Sequence, residues 1–103
     1  MPLVADHLLT TTGAGAALFF LTLGITNPGD SVLVVSPYYG NFDSDICTGT
    51  QVDNVPFYPS ATDDGEITIN FDQLEEAFEN AKAKDNKNIK AVLITNPHNP
   101  LGK

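Results

Sequence analysis

Three short stretches of this chain carry residue types that can hold a ligand. The first is Thr12-Gly13-Ala14-Gly15-Ala16-Ala17. Small residues at a helix start let a ligand approach the free backbone N–H groups, where the helix dipole also favours an anion. The same residues also suit close helix packing. A dinucleotide-binding fingerprint fits badly, because Leu18 stands where the third glycine belongs and Ser36 replaces the acid at the end of the next strand. No Gly-Lys-Ser/Thr follows, which excludes a Walker loop. The second stretch is Ser36-Pro37-Tyr38-Tyr39-Gly40, where an aromatic side chain can stack on a planar ring or simply pack against its own loop. The third is Asn96-Pro97-His98-Asn99-Pro100-Leu101-Gly102. Two prolines stiffen it, and Asn99 can offer an amide to a ligand oxygen or satisfy a local backbone group. His98 has no identifiable carboxylate partner for acid–base work.

These stretches need elements to position them. The run Ala14–Ile25 reads as a helix with a threonine of Thr10–Thr12 as N-cap, and it is apolar on every face, so it must be covered on all sides. Asn27-Pro28-Gly29-Asp30 reads as a type II turn, and Ser31–Val35 as a strand buried on both faces. A short helix fits between Tyr38 and Ile46, a weaker strand lies within Gln51–Phe57, and Pro59–Glu66 reads as an exposed acidic loop. Asn70 and Gln73 resemble a capping box that opens a helix with Phe71, Leu74, Phe78 and Ala81 on one face. Ile89–Thr95 is the last strand. Helices alternate with strands, so the fold class is α/β with a mainly parallel sheet in a three-layer α/β/α arrangement. The second and third ligand stretches then fall just past strand carboxyl ends, where parallel sheets bind ligands. Three strands and two substantial helices scarcely cover such a sheet, so the chain reads as a segment of a larger domain.

Composition narrows the chemistry. The 103 residues carry 13 acids against 5 bases, a formal charge of -8, which disfavours nucleic acid and anionic membrane surfaces as partners. All five bases are lysines, so no guanidinium can clamp a carboxylate or phosphate. One cysteine and two histidines make a disulfide framework and a zinc site poor expectations. The opening Met1–Asp6 has no signal-peptide pattern, and no apolar run approaches the ~20 residues of a membrane span. A cytoplasmic location is expected.

Taken in order, Gly-Ala-Gly-Ala-Ala at a helix start, Asn-Pro-Gly-Asp before a strand, Ser-Pro-Tyr-Tyr after it and Asn-Pro-His-Asn-Pro-Leu-Gly closing a later strand resemble the class I/II aminotransferases. Within these fold-type-I pyridoxal-phosphate enzymes, the pattern is most similar to the 1-aminocyclopropane-1-carboxylate synthase-like branch. The resemblance runs from about His7 to Gly102, and Asn-Pro-x-Asn-Pro-x-Gly is its most specific element. It implies pyridoxal 5'-phosphate as cofactor. Gly13, Ala14 and Gly15 would hold the phosphate, Tyr39 would stack on the pyridine ring, and Asn99 would hydrogen-bond its phenolic oxygen. The hydroxyl residue that the family often has at position 14 or 15 is missing here. The resemblance further implies an amino-acid or keto-acid substrate, transamination or γ-elimination, and a homodimeric parent.

The family's Schiff-base lysine, its pyridine-pairing aspartate and its carboxylate- and phosphate-binding arginines lie downstream of the Asn-Pro loop. Lys103 lacks the Ser/Thr-x-x-Lys context of that lysine. Residues 1–103 are therefore expected to be a partial cofactor-binding large domain with no catalytic residue of its own and no activity alone. The alternative is a non-catalytic short product that binds or regulates a full-length relative.

Overall fold

The computed structural model describes residues 1–102, so Lys103 and the reading of it lie outside the described residues. The elements in chain order are a 3-10 turn at Ala5–His7, α1 (Ala14–Ile25), β1 (Ser31–Val35), a π-helical turn at Asp43–Cys47, β2 (Asp53–Phe57), β3 (Ser60–Ala61), β4 (Ile67–Thr68), α2 (Phe71–Asp85) and β5 (Ile89–Leu93).

The β-branched run Ser31–Val35 becomes the centre of a three-stranded sheet in the order β2-β1-β5. Both neighbours run parallel to it, from Ser31↔Asp53 to Val35↔Phe57 on one side and from Val32↔Ala91 to Val34↔Leu93 on the other. All five β1 residues are buried, as a continuous apolar run requires. Their side chains alternate between two cores. Val32 and Val34 pack with Phe42, Ile46 and Val52 on one face, with Leu18 of α1 and Tyr38 against them. Leu33 and Val35 pack with Phe57 on the other, against Leu74 and Ala77 of α2. The layers are therefore α1 with the π-helical turn, the sheet, and α2: an α/β/α arrangement as expected.

Local details differ from the sequence reading where tertiary context intervenes. The N-cap of α1 is Gly13 rather than a threonine, with φ +107° and no side-chain cap. Thr11 instead donates its hydroxyl to the Gly13 carbonyl at 2.8 Å. At the other helix, Asn70 does cap α2, its side chain accepting from the Gln73 N–H at 2.9 Å. The reciprocal half of the box is absent, because the Gln73 amide donates to Ser60. The inward stripe of α2 is Leu74, Ala77 and Ala81, while Phe71 is 73% exposed and Phe78 lies at the margin. Within the expected acidic loop Pro59–Glu66, Ser60–Ala61 forms β3, which pairs antiparallel with β4 just beyond the loop. The covering that α1 demands is also incomplete: Phe20, Leu21, Leu23 and Ile25 remain exposed.

Candidate cofactor site

The candidate residues gather at the carboxyl edge of the sheet. β1 runs out into Ser36-Pro37-Tyr38-Tyr39, and the neighbouring parallel strand β5 leads into Asn96–Gly102. The third contributor, α1, returns through the Asn27–Asp30 turn to enter β1, and its first turn packs against the π-helical turn that follows Tyr39. The Asp30 N–H donates to the Asn27 carbonyl at 3.0 Å and Gly29 takes φ +89°, which the Pro-Gly turn required.

The opening of α1 is a bare helix start. Helical bonding begins with the Ala17 N–H on the Gly13 carbonyl, and no side chain caps the amides before it. A Cβ at Gly13 would meet nothing within 4 Å. Gly15 is different, because a Cβ there would lie 2.9 Å from a carboxylate oxygen of Asp45. A side chain at position 15 would therefore have to displace the Asp45 carboxylate. The close approach also sets one negative charge beside the first turn of α1, which would repel a phosphate bound there. Asp45 carries no motif signal and is found only through packing.

The two tyrosines separate in role. Tyr38 donates its hydroxyl to Asp43 at 2.7 Å, and Asn54 donates to the same carboxylate oxygen at 3.0 Å. The Tyr38 ring stacks near Phe42 at 6.3 Å between centroids and packs on the core. Burial and the adjacent Asp43 carboxylate push its phenol up to about 12. Tyr39 is 42% exposed, meets Phe42 edge-on at 5.6 Å, and accepts a hydrogen bond from the Asn41 amide at 2.7 Å. The edge contact steadies the ring and leaves much of it open for a planar group.

In the Asn-Pro loop, Asn99 is exposed and its amide makes no hydrogen bond among the described residues. His98 is buried, its Nε2 lying 3.4 Å from the Val35 carbonyl oxygen at the end of β1. Sequence reasoning had no partner for this histidine because the partner is a backbone carbonyl 63 residues away. Cys47 packs against the α1-side core, and burial pushes its thiol up. No helix among the described residues is long and apolar enough to cross a membrane, and none of their His, Cys, Asp and Glu side chains form a group suited to a metal ion.

Comparison with known proteins gives this geometry its context. The family model for aminotransferase class I and II matches residues 1–103. The chain is 44% identical over 98 residues to 1-aminocyclopropane-1-carboxylate synthase 4 of Arabidopsis thaliana, covering 95% of this chain and 20% of that protein. It is 40% identical over 97 residues to 1-aminocyclopropane-1-carboxylate synthase of Malus domestica, covering 94% of this chain and 20% of that one. The chain thus spans about a fifth of the length of these curated relatives. Among solved structures, the PLP-bound C-S lyase from Staphylococcus hominis superposes with a TM-score of 0.78 at 28% identity, over 100% of this chain and 24% of that one. Pyridoxal phosphate is the cofactor these likenesses indicate for the family. The chain belongs to the class I and II aminotransferases, with 1-aminocyclopropane-1-carboxylate synthases among its similar relatives.

Proposed function

We propose that residues 1–103 form part of the cofactor-binding large domain of a pyridoxal-phosphate-dependent enzyme acting on amino acids. The reaction is transamination or a γ-elimination of the 1-aminocyclopropane-1-carboxylate synthase type. What supports this reading is the topology: a bare helix start packed on the turn after Tyr39, a half-open tyrosine ring, and an asparagine amide with no hydrogen bond among the described residues all belong to segments at the carboxyl edge of the sheet.

The residues fit the phosphate-and-ring end of that cofactor. The uncapped amides at Gly13, Ala14 and Gly15 would hold the phosphate, since orphan N–H groups and the helix dipole both favour an anion. The open Gly13 flank lets the backbone come close. Tyr39 would receive the ring and Asn99 would donate to a ring oxygen, which fixes the ring's rotation about its stacking axis. When bound, the cofactor supplies the electron sink for amino-acid chemistry. These residues bind and orient; none of them is placed to move a proton, so activity belongs to the longer enzyme. That enzyme is proposed to be a cytoplasmic homodimer, a location in keeping with the free thiol of Cys47.

The test is binding by this chain of pyridoxine 5'-phosphate, which has the ring and phosphate but no aldehyde to react with lysines. Helix-end electrostatics of about 0.3–2 kcal/mol and stacking of about 0.5–1.5 kcal/mol must offset the entropy of association, so dissociation constants near or above about 1 mM are expected. Tyr39→Ala and Asn99→Ala should each weaken binding further. Binding that neither substitution changes would remove the assignment.

A further inference from the structure

Among the residues of the Asn96–Gly102 loop, His98 alone is buried, at 7% exposure, and the cofactor pocket proposed above gives it no task. We propose that His98 is a positioning residue: in a single tautomer protonated at Nε2, it locks the Asn99 loop to the end of β1. The purpose of the lock rests on the pocket reading above; its geometry does not.

The argument starts where the sheet stops. β5 pairs with β1 only as far as Val34↔Leu93, and beyond Leu93 the chain leaves the ladder. The imidazole of His98 then reaches back, its Nε2 lying 3.4 Å from the carbonyl oxygen of Val35, one residue past the last pair. A carbonyl can only accept, so the proton of this contact sits on Nε2. The other ring nitrogen, Nδ1, is buried with no partner among the described residues. Moving the proton there would bury an unpaired donor and leave the Val35 contact without one. One tautomer is therefore selected by the surroundings.

The backbone of the same residue is held from the opposite side. The Gly102 N–H donates to the His98 carbonyl at 2.7 Å, closing the loop with Gly102 at φ +72°. His98 is thus tied at its side chain and at its carbonyl, and Asn99 follows it directly. The Asn99 side chain has no hydrogen-bonded anchor among the described residues, so its position comes from its neighbour. Because Val35 lies four residues before Tyr39, the tie also sets Asn99 relative to the stacking ring.

The test uses the 15N-labelled chain. Long-range 1H–15N spectra of the imidazoles should show His98 as the Nε2–H tautomer, with exposed His7 as the internal reference. His98→Leu should speed amide exchange at Gly102, whose N–H donates to the His98 carbonyl, by about tenfold, the loss of one restraining hydrogen bond. His98→Gln places an amide donor near the Nε2 position and should return exchange to within about twofold of the parent. Pyridoxine 5'-phosphate affinity should follow the same order, falling about fivefold in His98→Leu and holding in His98→Gln. An Nδ1–H tautomer, a mixture of tautomers, or His98→Gln behaving like His98→Leu would overturn the lock. Unchanged exchange in His98→Leu would overturn it as well. If the parent chain binds no pyridoxine 5'-phosphate, the pocket reading fails while tautomer and exchange still decide the lock.

Discussion

The two edges of the central sheet are built from similar residues and treat their polar groups in opposite ways. At the amino edge, the Asp30 carboxylate accepts from the Asn27 N–H at 2.7 Å and from the Asn88 amide at 2.7 Å. Those bonds, led by the Asn27 backbone, hold its carboxyl below the usual carboxylate range. The Ser31 N–H donates to the Asn88 carbonyl, the Asp53 N–H to the Asp30 carbonyl, and Lys87 pairs with Asp53. At the carboxyl edge, α1 starts without a side-chain cap, Asn99 donates to no partner among the described residues, and Tyr39 is half open. An asparagine that completes a network belongs to the fold. An asparagine held in place with its amide free is available to a ligand. Residue type alone does not separate the two, and the neighbours do.

The comparison can be broken at several levels. The largest effect is expected where both edges share support, at Leu33 in the middle of β1, which is 1% exposed. Leu33→Ala should cost about 2–5 kcal/mol in urea unfolding, through lost transfer energy and a residual cavity. At the amino edge, Asn88→Ala removes a donor to Asp30 and should cost about 1–2 kcal/mol by the same measurement. At the carboxyl edge, Asn99→Ala should change stability by less than about 0.5 kcal/mol, because its side chain is exposed and makes no hydrogen bond among the described residues. Equal losses for Asn88→Ala and Asn99→Ala would erase the distinction between the edges.

Two smaller effects sharpen it. Asp45→Asn removes the charge beside Gly15 and should tighten phosphate-group binding by about two- to fivefold in a pyridoxine 5'-phosphate titration. Weaker binding would show instead that this carboxylate orders the helix start. Tyr38 tests whether the first tyrosine is structural. Its phenol is raised from 10.0 to about 12, so the folded state favours the neutral form more than the unfolded chain does. Its contribution to stability is fully present below about pH 10 and is lost as pH rises toward about 12. Absorbance of the tyrosinate should show one late-ionising phenol, and Tyr38→Phe should remove it and flatten the stability loss across that window.

How much of this was legible in the sequence depends on how local the cause was. The β1 strand, the Pro-Gly turn before it and the Asn70 cap rest on residues within a few positions of each other, and they read directly. The inward face of α2 did not, because Phe71 and Phe78 match Leu74 in period, and only the position of the sheet decides that Ala77 and Ala81 turn inward. The site divides along the same line. The Gly-Ala-Gly start, Tyr39 and Asn99 were visible as motifs. Asp45 against Gly15 and His98 against Val35 were not, since each joins segments that meet only after the α/β layers assemble. The Gly13 cap was misread as a threonine because Thr12 and Gly13 both suit a helix start, and the positive φ at Gly13 decides between them.

The central claim is that the carboxyl edge, and not the amino edge, is where a phosphorylated pyridine ring binds. Backbone amide spectra of the 15N-labelled chain during a pyridoxine 5'-phosphate titration test this most directly. The expected result is concentration-dependent shifts at Gly13, Ala14, Gly15, Tyr39 and Asn99, with Asn27, Asp30 and Asn88 unmoved. Shifts centred on Lys82, Lys84 and Lys87, with the α1 start and the Asn99 loop unmoved, would contradict the claim and reduce the interaction to charge attraction at the end of α2.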